Sequence, residues 1–233
     1  MIELFEVCGE NPLLVFSPFC WRVRLALAHK GLQAESHPVR YSDKDQIAFS
    51  GQDLLPIIRD GQNLLHDSFA IVSYLDRQYP QASLGLDSVA GKRAALIDRV
   101  AHQDLLVGLF RLLVLRILPL LSAADSNYFR NKHEQSLGMT LEVFADRSIG
   151  LDLIARALQP LEAQLQFSPF LDGEQPGAVD VLMGGFFFWA WVLRSTPWDQ
   201  APHVSAWFAS MLKRYESSQG EIHRAPLPGQ DAP

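Results

Sequence analysis

The sequence predicts an α/β domain of about eighty residues followed by an all-α domain. Three observations carry this prediction. Strand and helix patterns alternate as far as Pro80, apolar residues follow a helical period after residue 88, and the composition is that of an ordinary globular protein. With 233 residues, 48% of them hydrophobic and 20% charged, the chain is long enough for one large domain or two modest ones and can bury a sizeable core.

The chain opens with a strand, a helix and a second strand. Ile2–Val7 alternates apolar and acidic residues, which is a strand pattern. Ser17-Pro18 marks a helix start, because serine is a favoured N-cap and proline is favoured at the first helical position. Gly31 stands where a glycine would end that helix, and residues 33–39 can form the second strand.

A polar stretch, a hairpin and a helix complete the α/β domain. Asp60-Gly61 is a hairpin signal between strands at residues 54–58 and 62–65. Asp67-Ser68 opens a helix that ends at Pro80. The order β-α-β-(α)-β-β-α within about eighty residues is typical of a thioredoxin-like fold.

The rest of the chain is helical by the spacing of its apolar residues. The predicted helices cover, in order, residues 91–121 as one helix or two, 127–144, 150–165, the very apolar and therefore central 177–193, and 203–215. We therefore divide the chain into an α/β domain at 1–80, a linker at 81–88, a helical domain at 89–220 and a loose tail at 221–233.

Composition excludes several classes of function. The net charge of −6 and the lack of a basic block argue against a nucleic acid partner. Two cysteines, Cys8 and Cys20, are too few for a disulfide framework or a zinc site, so we expect a reducing, cytoplasmic compartment and no metal. The longest apolar run, residues 105–121, contains Arg111 and Arg116, which favours a buried helix over a membrane span. No basic region precedes an apolar stretch at the N-terminus, so we expect no signal peptide.

The first candidate site is the strand-to-helix junction at Ser17-Pro18-Phe19-Cys20. This position exposes the Ser17 hydroxyl beside unpaired backbone N–H groups and the positive end of the helix dipole. Such a site favours an anion, and a thiolate there would have its pKa lowered. An ordinary serine cap explains the same residues equally simply.

Two further sites suit the backbone and the head group of a peptide. A cis peptide bond before Pro56 would turn the N–H and C=O of Leu55 outward to pair with an extended ligand, although proline is also tolerated at the start of a strand. Asp67 suits an ammonium group, and Ser68 with the helix N-terminus suits a carboxylate. Ordinary helix capping is the alternative for this pair.

The order and spacing of these sites resemble the glutathione transferase superfamily, over nearly the whole chain. Four segments carry the resemblance: S-P-F-C-W-R-V-R-L-A-L-A-H-K-G-L, S-G-Q-D-L-L-P-I-I-R-D-G, L-H-D-S-F-A-I-V-S-Y-L-D-R-Q-Y-P and F-L-D-G-E-Q-P-G-A-V-D-V-L. The last looks like the segment that caps the family's central helix, with Gly177 in place of the usual serine or threonine and Asp180 at the third helical position. Within the superfamily, S-P-x-x-W-R with A-L-x-H-K-G resembles bacterial β-etherases, which cleave lignin-type aryl ethers, and their fungal relatives.

The resemblance implies a role for each candidate residue. It makes Ser17 the hydroxyl that activates the glutathione thiol, Leu55 the backbone partner of the glutathione cysteine, and Asp67 with Ser68 the γ-glutamyl site. The implied glutathione-binding residues are Phe19, Gln52, Leu55, Pro56, Asp67 and Ser68. Gln52 would contact the glycyl carboxylate and Phe19 would flank the thiol, but a polar surface loop and core packing also explain these two.

The implied function is that of a cytoplasmic, homodimeric glutathione transferase with a detoxifying role. Glutathione is the implied cofactor, and its thiolate would attack a hydrophobic electrophile, displacing an aryloxide or adding to a double bond. A non-catalytic binding or regulatory module of the same fold is one alternative. A thiol reductase using Cys20 is another, although Cys20 lies on the inward apolar stripe of its helix, which favours an inert buried thiol.

Overall fold

A four-stranded mixed sheet forms the centre of the first eighty residues. The structure is a computed structural model that describes residues 1–227, apart from the side chain of His102. The strands are β1 (Ile2–Val7), β2 (Ala34–Val39), β3 (Ile57–Asp60) and β4 (Asn63–His66). Their order in the sheet is β2-β1-β3-β4, with β1 parallel to β2 and antiparallel to β3. The structure confirms the predicted α/β domain.

Helices α1 (Pro18–His29) and α2 (Ser68–Gln78) pack on this sheet, and a 3₁₀ turn at Lys44–Ser50 occupies the predicted polar stretch. The sequence signals act as expected at the helix ends. Ser17 caps α1 by accepting a hydrogen bond from the Cys20 N–H at 3.4 Å. Gly31 has a φ of +64°, a left-handed conformation that glycine adopts without strain, so it ends α1.

The remaining elements are helical, which confirms the predicted all-α domain. They are α3 (Val89–Ala101), a π turn (His102–Leu106), α4 (Val107–Ile117), a 3₁₀ turn (Leu118–Leu120), α5 (Ala123–Leu137), α6 (Leu141–Phe144), α7 (Arg147–Leu165), α8 (Ala178–Val192) and α9 (Pro202–Gln219). The prediction of one continuous helix over 127–144 is wrong. Gly138, with a φ of +68°, ends α5, and Thr140 caps α6.

Helix α8 lies at the centre of the fold, as predicted. The Asp180 carboxylate accepts hydrogen bonds from the N–H groups of Gly177 (2.9 Å), Leu171 (2.8 Å) and Asp172 (3.1 Å), and from Nε1 of Trp207 (2.7 Å). These bonds satisfy a fully buried charge and fix the start of α8. The expected capping arrangement of Gly177 and Asp180 is confirmed.

Close packing of α8 on α1 joins the sheet to the helical domain. A Cβ atom on Gly185 would lie 2.5 Å from the Pro18 carbonyl oxygen and 2.6 Å from Cγ of Arg22. A Cβ on Gly184 would lie 2.8 Å from a methyl group of Leu25. Only glycine permits this approach, which sets the start of α1 firmly against the helical domain.

The segment after α9 differs from the loose tail that the sequence predicted. In residues 221–227 the Ala225 N–H donates to the Val192 carbonyl (2.9 Å), and Nε of Arg194 donates to the Ala225 carbonyl (2.8 Å). The Arg224 guanidinium lies 3.9 Å from the centre of the Trp191 ring. These residues therefore pack on the end of α8, while residues 228–233 of the predicted tail lie outside the described residues.

No helix in the described part of the chain is long and apolar enough to cross a membrane.

Candidate functional site

A cavity of about 650 Å³, which we call the polar cavity because several charged side chains line it, opens between the sheet domain and α3. The start of α1, the loop before β3, the start of α2 and one face of α3 form its walls. Six residues predicted from the sequence line it together: Phe19, Gln52, Leu55, Pro56, Asp67 and Ser68. Residues up to 49 positions apart thus meet in one concave site.

The loop before β3 presents free backbone groups to this cavity. The Leu55–Pro56 peptide bond is cis, which confirms the prediction made for it. The N–H and C=O of Leu55 make no hydrogen bond to another described residue. Leu55 can therefore pair through its backbone with an extended peptide, in the manner of an added strand.

The start of α2 forms a charged end of the cavity. Asp67 is the N-cap, with a φ of +67°, and its Oδ1 accepts a hydrogen bond from the Ala70 N–H at 2.9 Å. Its side chain is exposed, so the second carboxylate oxygen is open to a cation. Ser68 is buried, and the first N–H groups of α2 have no partner within the helix. An ammonium and a carboxylate on one ligand carbon fit this end.

Gln52 and Phe19 stand at other walls of the cavity, and both are half-buried. The Gln52 N–H donates to Oγ of Ser50 at 3.1 Å, which orders the loop while leaving the side-chain amide available. Phe19 follows the α1 N-cap by two residues and also lines a neighbouring cavity. It is therefore part of the partition between two sites.

The neighbouring cavity has a volume of about 420 Å³ and is mainly apolar. It shares Phe19, Leu54 and Leu55 with the first cavity. Aromatic residues from both domains line it: Phe16, Phe19, Tyr41, Phe110, Phe129, Phe144 and Trp189. An aromatic molecule held there would lie next to a ligand in the first cavity.

Ser17 lines the apolar cavity, close to the partition. Its hydroxyl oxygen accepts the Cys20 N–H bond of 3.4 Å, which is long for a hydrogen bond. The side chain is half-buried, and it also forms a hydrogen bond with the buried Cys20 thiol. An anionic ligand atom beside the start of α1 would compete for this hydroxyl, because a hydrogen bond to an anion is stronger than one to a neutral thiol.

Sequence reasoning missed the wall that α3 supplies. Arg22 from α1 and Asp98 from α3 line the first cavity and form a buried ion pair, and Arg99 lies beside them. The Arg22 guanidinium also lies 5.3 Å from the Phe19 ring centre and 4.6 Å from that of Phe186. Burial lowers the pKa of Arg22, and the Asp98 carboxylate opposes this effect.

Cys20 has no access to either cavity. Its side chain is fully buried, and burial raises the pKa of its thiol to about 12. A thiol with this pKa is neutral near pH 7 and is a poor nucleophile. The buried position agrees with an inert thiol and argues against a reductase that uses Cys20.

Two family descriptions match most of the chain. "Glutathione S-transferase, N-terminal domain" matches residues 14–83, and "Glutathione S-transferase, C-terminal domain" matches residues 94–219. Two curated plant proteins are similar over shorter stretches. Glutathione S-transferase Z1 of Arabidopsis thaliana is 38% identical over 85 residues, which cover 33% of this chain and 38% of that protein. For glutathione S-transferase Z2 of the same plant the identity is 42% over 78 residues, covering 31% and 34%. The chain thus spans about a third of the length of these relatives.

Solved structures resemble the fold over almost its full length. Glutathione transferase GSTFuA3 from Phanerochaete chrysosporium has a TM-score of 0.81 at 22% identity, covering 92% of this chain and 97% of that chain. Glutathione S-transferase CsGST63524 of Ceriporiopsis subvermispora, solved in complex with glutathione, has a TM-score of 0.79 at 21% identity, covering 94% and 97%. At this identity the likeness establishes the fold.

Proposed function

Because this chain belongs to the glutathione S-transferase family, we propose that it binds glutathione in the polar cavity and activates the thiol beside Ser17 for attack on an electrophilic carbon. One observation carries the proposal. The polar cavity, whose groups suit a peptide, meets the apolar cavity at Phe19, Leu54 and Leu55. Two substrates bound side by side would bring their reacting atoms together at this partition.

The residues present fit the parts of glutathione. The free backbone groups of Leu55 suit the central cysteine of an extended tripeptide. The open carboxylate oxygen of Asp67 suits the γ-glutamyl ammonium, and the start of α2 with Ser68 suits its carboxylate. Gln52 offers an amide to the glycyl carboxylate at another wall of the cavity.

Ser17 acts by donating a hydrogen bond. A serine hydroxyl is too weakly acidic to lose its proton near pH 7, so it is not available as an alkoxide base. Glutathione supplies the thiolate nucleophile. Lowering an ordinary thiol pKa of about 8.5 by two units takes about 3 kcal/mol of preferential thiolate stabilisation. A charge-assisted bond from Ser17, together with the dipole of α1, is of the right order to supply it. The released proton passes to solvent.

The second substrate is an electrophile with a hydrophobic ring, and an aryl ether is the specific class that we propose. The aromatic walls of the second cavity support this choice, as does the resemblance of S-P-x-x-W-R to the β-etherase branch. In ether cleavage a carbon–sulfur bond forms, a carbon–oxygen bond breaks, and the aryloxide leaves with the electron pair. Haloarenes and activated double bonds fit the same cavity.

A cytoplasmic, detoxifying role is the physiological counterpart of this proposal. Cys8 and Cys20 are both buried free thiols, which suits a reducing compartment. Burial raises the pKa of Cys8 to about 11, so neither thiol competes with a bound thiolate.

A substrate panel tests the function. The full chain is incubated with glutathione and either 1-chloro-2,4-dinitrobenzene or a β-aryl ether with a fluorescent phenol as leaving group. We expect a glutathione thioether and one released halide or phenol per turnover, detected by mass spectrometry and fluorescence. Glutathione binding without any thioether product would instead support the non-catalytic module.

A further inference from the structure

The apolar cavity carries positive charge at its mouth. Arg40 and Lys44 reach it from the sheet domain, and Lys132 reaches it from α5. Among the described residues that line this cavity, Asp53 is the one carboxylate. This local excess of cations contrasts with the net charge of −6 for the whole chain.

Two of the three cations have partners within the protein. The Arg40 guanidinium donates to both oxygens of Asp43, at 2.8 and 3.3 Å, which neutralises it. Nζ of Lys44 donates to the Tyr128 hydroxyl at 3.0 Å. It also lies 3.8 Å from Oδ1 of Asp53, whose side chain is 82% exposed. An ion pair that is this exposed to water contributes little to the free energy of folding.

Lys132 has no carboxylate partner in the described part of the chain. Its Nζ lies 5.8 Å from the centre of the Tyr128 ring, and Nζ of Lys44 lies 4.8 Å from the same centre. Two ammonium groups from different domains therefore converge on one ring at the edge of an apolar cavity. An acidic group bound beside this ring would be attracted to both ammonium groups, and its attraction to them is stronger at an apolar edge than in open water.

Geometry places an apolar surface next to this charge. Phe129 is one helical turn before Lys132 on α5, so the ring and the ammonium group share one wall of the cavity. His133 beside them adds no charge near neutral pH, because burial lowers its pKa. The site therefore combines an aromatic lining with a cationic rim that remains partly hydrated.

We propose that the second substrate of this enzyme is an aromatic organic anion whose acidic group binds between Lys44 and Lys132 while its ring fills the apolar cavity. This inference rests on the proposed function and narrows the substrate class of the same site. Because the Lys44 side chain keeps 35% of its exposure, a carboxylate at the rim also keeps part of its hydration, which limits the cost of binding it.

A matched pair of ligands tests the charge requirement without turnover. Calorimetry on the full chain compares 4-chloro-3-nitrobenzoate with the neutral 4-chloro-3-nitrobenzamide. We expect the benzoate to bind about 10-fold more tightly at low salt, and the difference to shrink as salt screens the rim. Equal affinities would overturn the inference and leave the proposed function intact. If neither compound bound, the apolar cavity would not be the second substrate site at all.

Lysine variants locate the effect. Lys132→Met should weaken benzoate binding about 5-fold and leave benzamide binding unchanged, while Lys132→Arg should retain most of the benzoate affinity. Lys213→Met on α9 is the control, since it removes an exposed lysine with no described ion pair and changes the net charge equally. Unchanged benzoate affinity in Lys132→Met, or a loss of glutathione affinity in its place, would contradict the assignment.

Discussion

The guanidinium of Arg22 and the carboxylate of Asp98 form an ion pair between α1 and α3, and the two side chains are only 2% and 8% exposed. Nε of Arg22 also donates to the Leu182 carbonyl of α8 at 3.0 Å. One side chain thus ties the sheet domain to two helices of the second domain. Since Arg22 and Asp98 both line the polar cavity, the pair also sets the distance between its walls.

Breaking this pair should destabilise the protein strongly. Arg22→Met removes the cationic partner of a buried carboxylate, so we expect the free energy of unfolding to fall by about 3–5 kcal/mol in urea titrations. The double variant Arg22→Met with Asp98→Leu removes both charges and should be less destabilised than Arg22→Met alone. A double variant that loses the sum of the two single losses would show that the pair is not coupled.

Charge at the start of α2 should control glutathione affinity. Ser68→Ala removes a buried hydroxyl from the proposed γ-glutamyl site, and Asp67→Asn removes the charge that would face the ammonium group. Each should weaken binding of glutathione by about 1.5 kcal/mol, roughly 10-fold, in calorimetry. Unchanged dissociation constants in both variants would place the γ-glutamyl group elsewhere.

Asparagine is the informative replacement at position 67. Asp67 has a φ of +67° and caps α2 through its Oδ1, and asparagine tolerates this backbone and can cap in the same way. Asp67→Ala would lose the cap as well as the charge, at about 1 kcal/mol of stability. We therefore expect Asp67→Asn to unfold like the wild type while binding glutathione more weakly.

Local signals predicted the positions of the site residues, but not the walls that complete the cavity. Ser17-Pro18 and Asp67-Ser68 act through backbone groups within three residues, so the sequence shows them directly. Arg22 and Asp98 are 76 residues apart, and their contact depends on how α3 packs against α1. A periodic pattern predicts which face of a helix is apolar, but it does not predict which other element packs against that face.

The same reasoning explains the differences in the helical domain. The π turn at His102–Leu106 continues the helical period, so it leaves no composition signal between α3 and α4. Residues 221–227 have a loop composition, yet Ile222 and Ala225 are buried by contacts with elements distant in sequence. The domain boundaries at residues 80, 88 and 220 stay predictions.

Stability should fall as the pH drops below neutrality. Burial lowers the pKa of His133, and Lys132 adds to this effect; burial, followed by Lys30, does the same for His29. A histidine whose pKa is lower in the folded state takes up a proton more readily in the unfolded state, so protonation favours unfolding. Its contribution is complete above the ordinary value of about 6.5 and is lost below it, by up to about 1.4 kcal/mol per pH unit.

Urea unfolding at pH 7.5, 6.5 and 5.5 measures this dependence. His133→Gln should flatten it, because glutamine does not titrate, and the His29 contribution should remain. Carboxylates with lowered pKa values, such as Asp76 and Glu162, titrate below this pH range and therefore do not add to the measured dependence. An identical slope in wild type and His133→Gln would contradict the prediction.

The exposed face of α3 predicts a homodimer. Four of its apolar side chains are between 42% and 67% exposed: Val89, Leu96, Ile97 and Val100. They recur at helical spacing opposite the residues that line the polar cavity, and such a patch is typical of an interface. Light scattering at micromolar concentration should give twice the chain mass of 26.1 kDa. Leu96→Glu with Val100→Glu should give the monomer mass, and a monomeric wild type would refute the prediction.

Ser17 provides the most direct test of the mechanism, because its two possible roles separate experimentally. As a helix cap it accepts a hydrogen bond from the Cys20 N–H, and as an activating group it would donate a hydrogen bond to the glutathione sulfur. Glycine is nearly as good an N-cap as serine but has no hydroxyl, so Ser17→Gly preserves the first role and removes the second. Ser17→Thr keeps both roles.

We expect Ser17→Ala and Ser17→Gly to lower kcat/KM by about 10- to 10³-fold, which corresponds to ~1.4–4 kcal/mol of lost transition-state stabilisation, with a smaller change in glutathione affinity. The deciding measurement is the thiolate absorbance of bound glutathione as a function of pH. Removing the hydroxyl should raise the pKa of the bound thiol, and Ser17→Thr should leave it low.

Ser17→Cys should lose transferase activity and gain reductase character, since a thiol at the start of α1 would become the nucleophile itself.

The titration curves of wild type and Ser17→Gly decide between the two roles. If they were the same, Ser17 would be only a cap, and the amides of α1 would have to stabilise the thiolate.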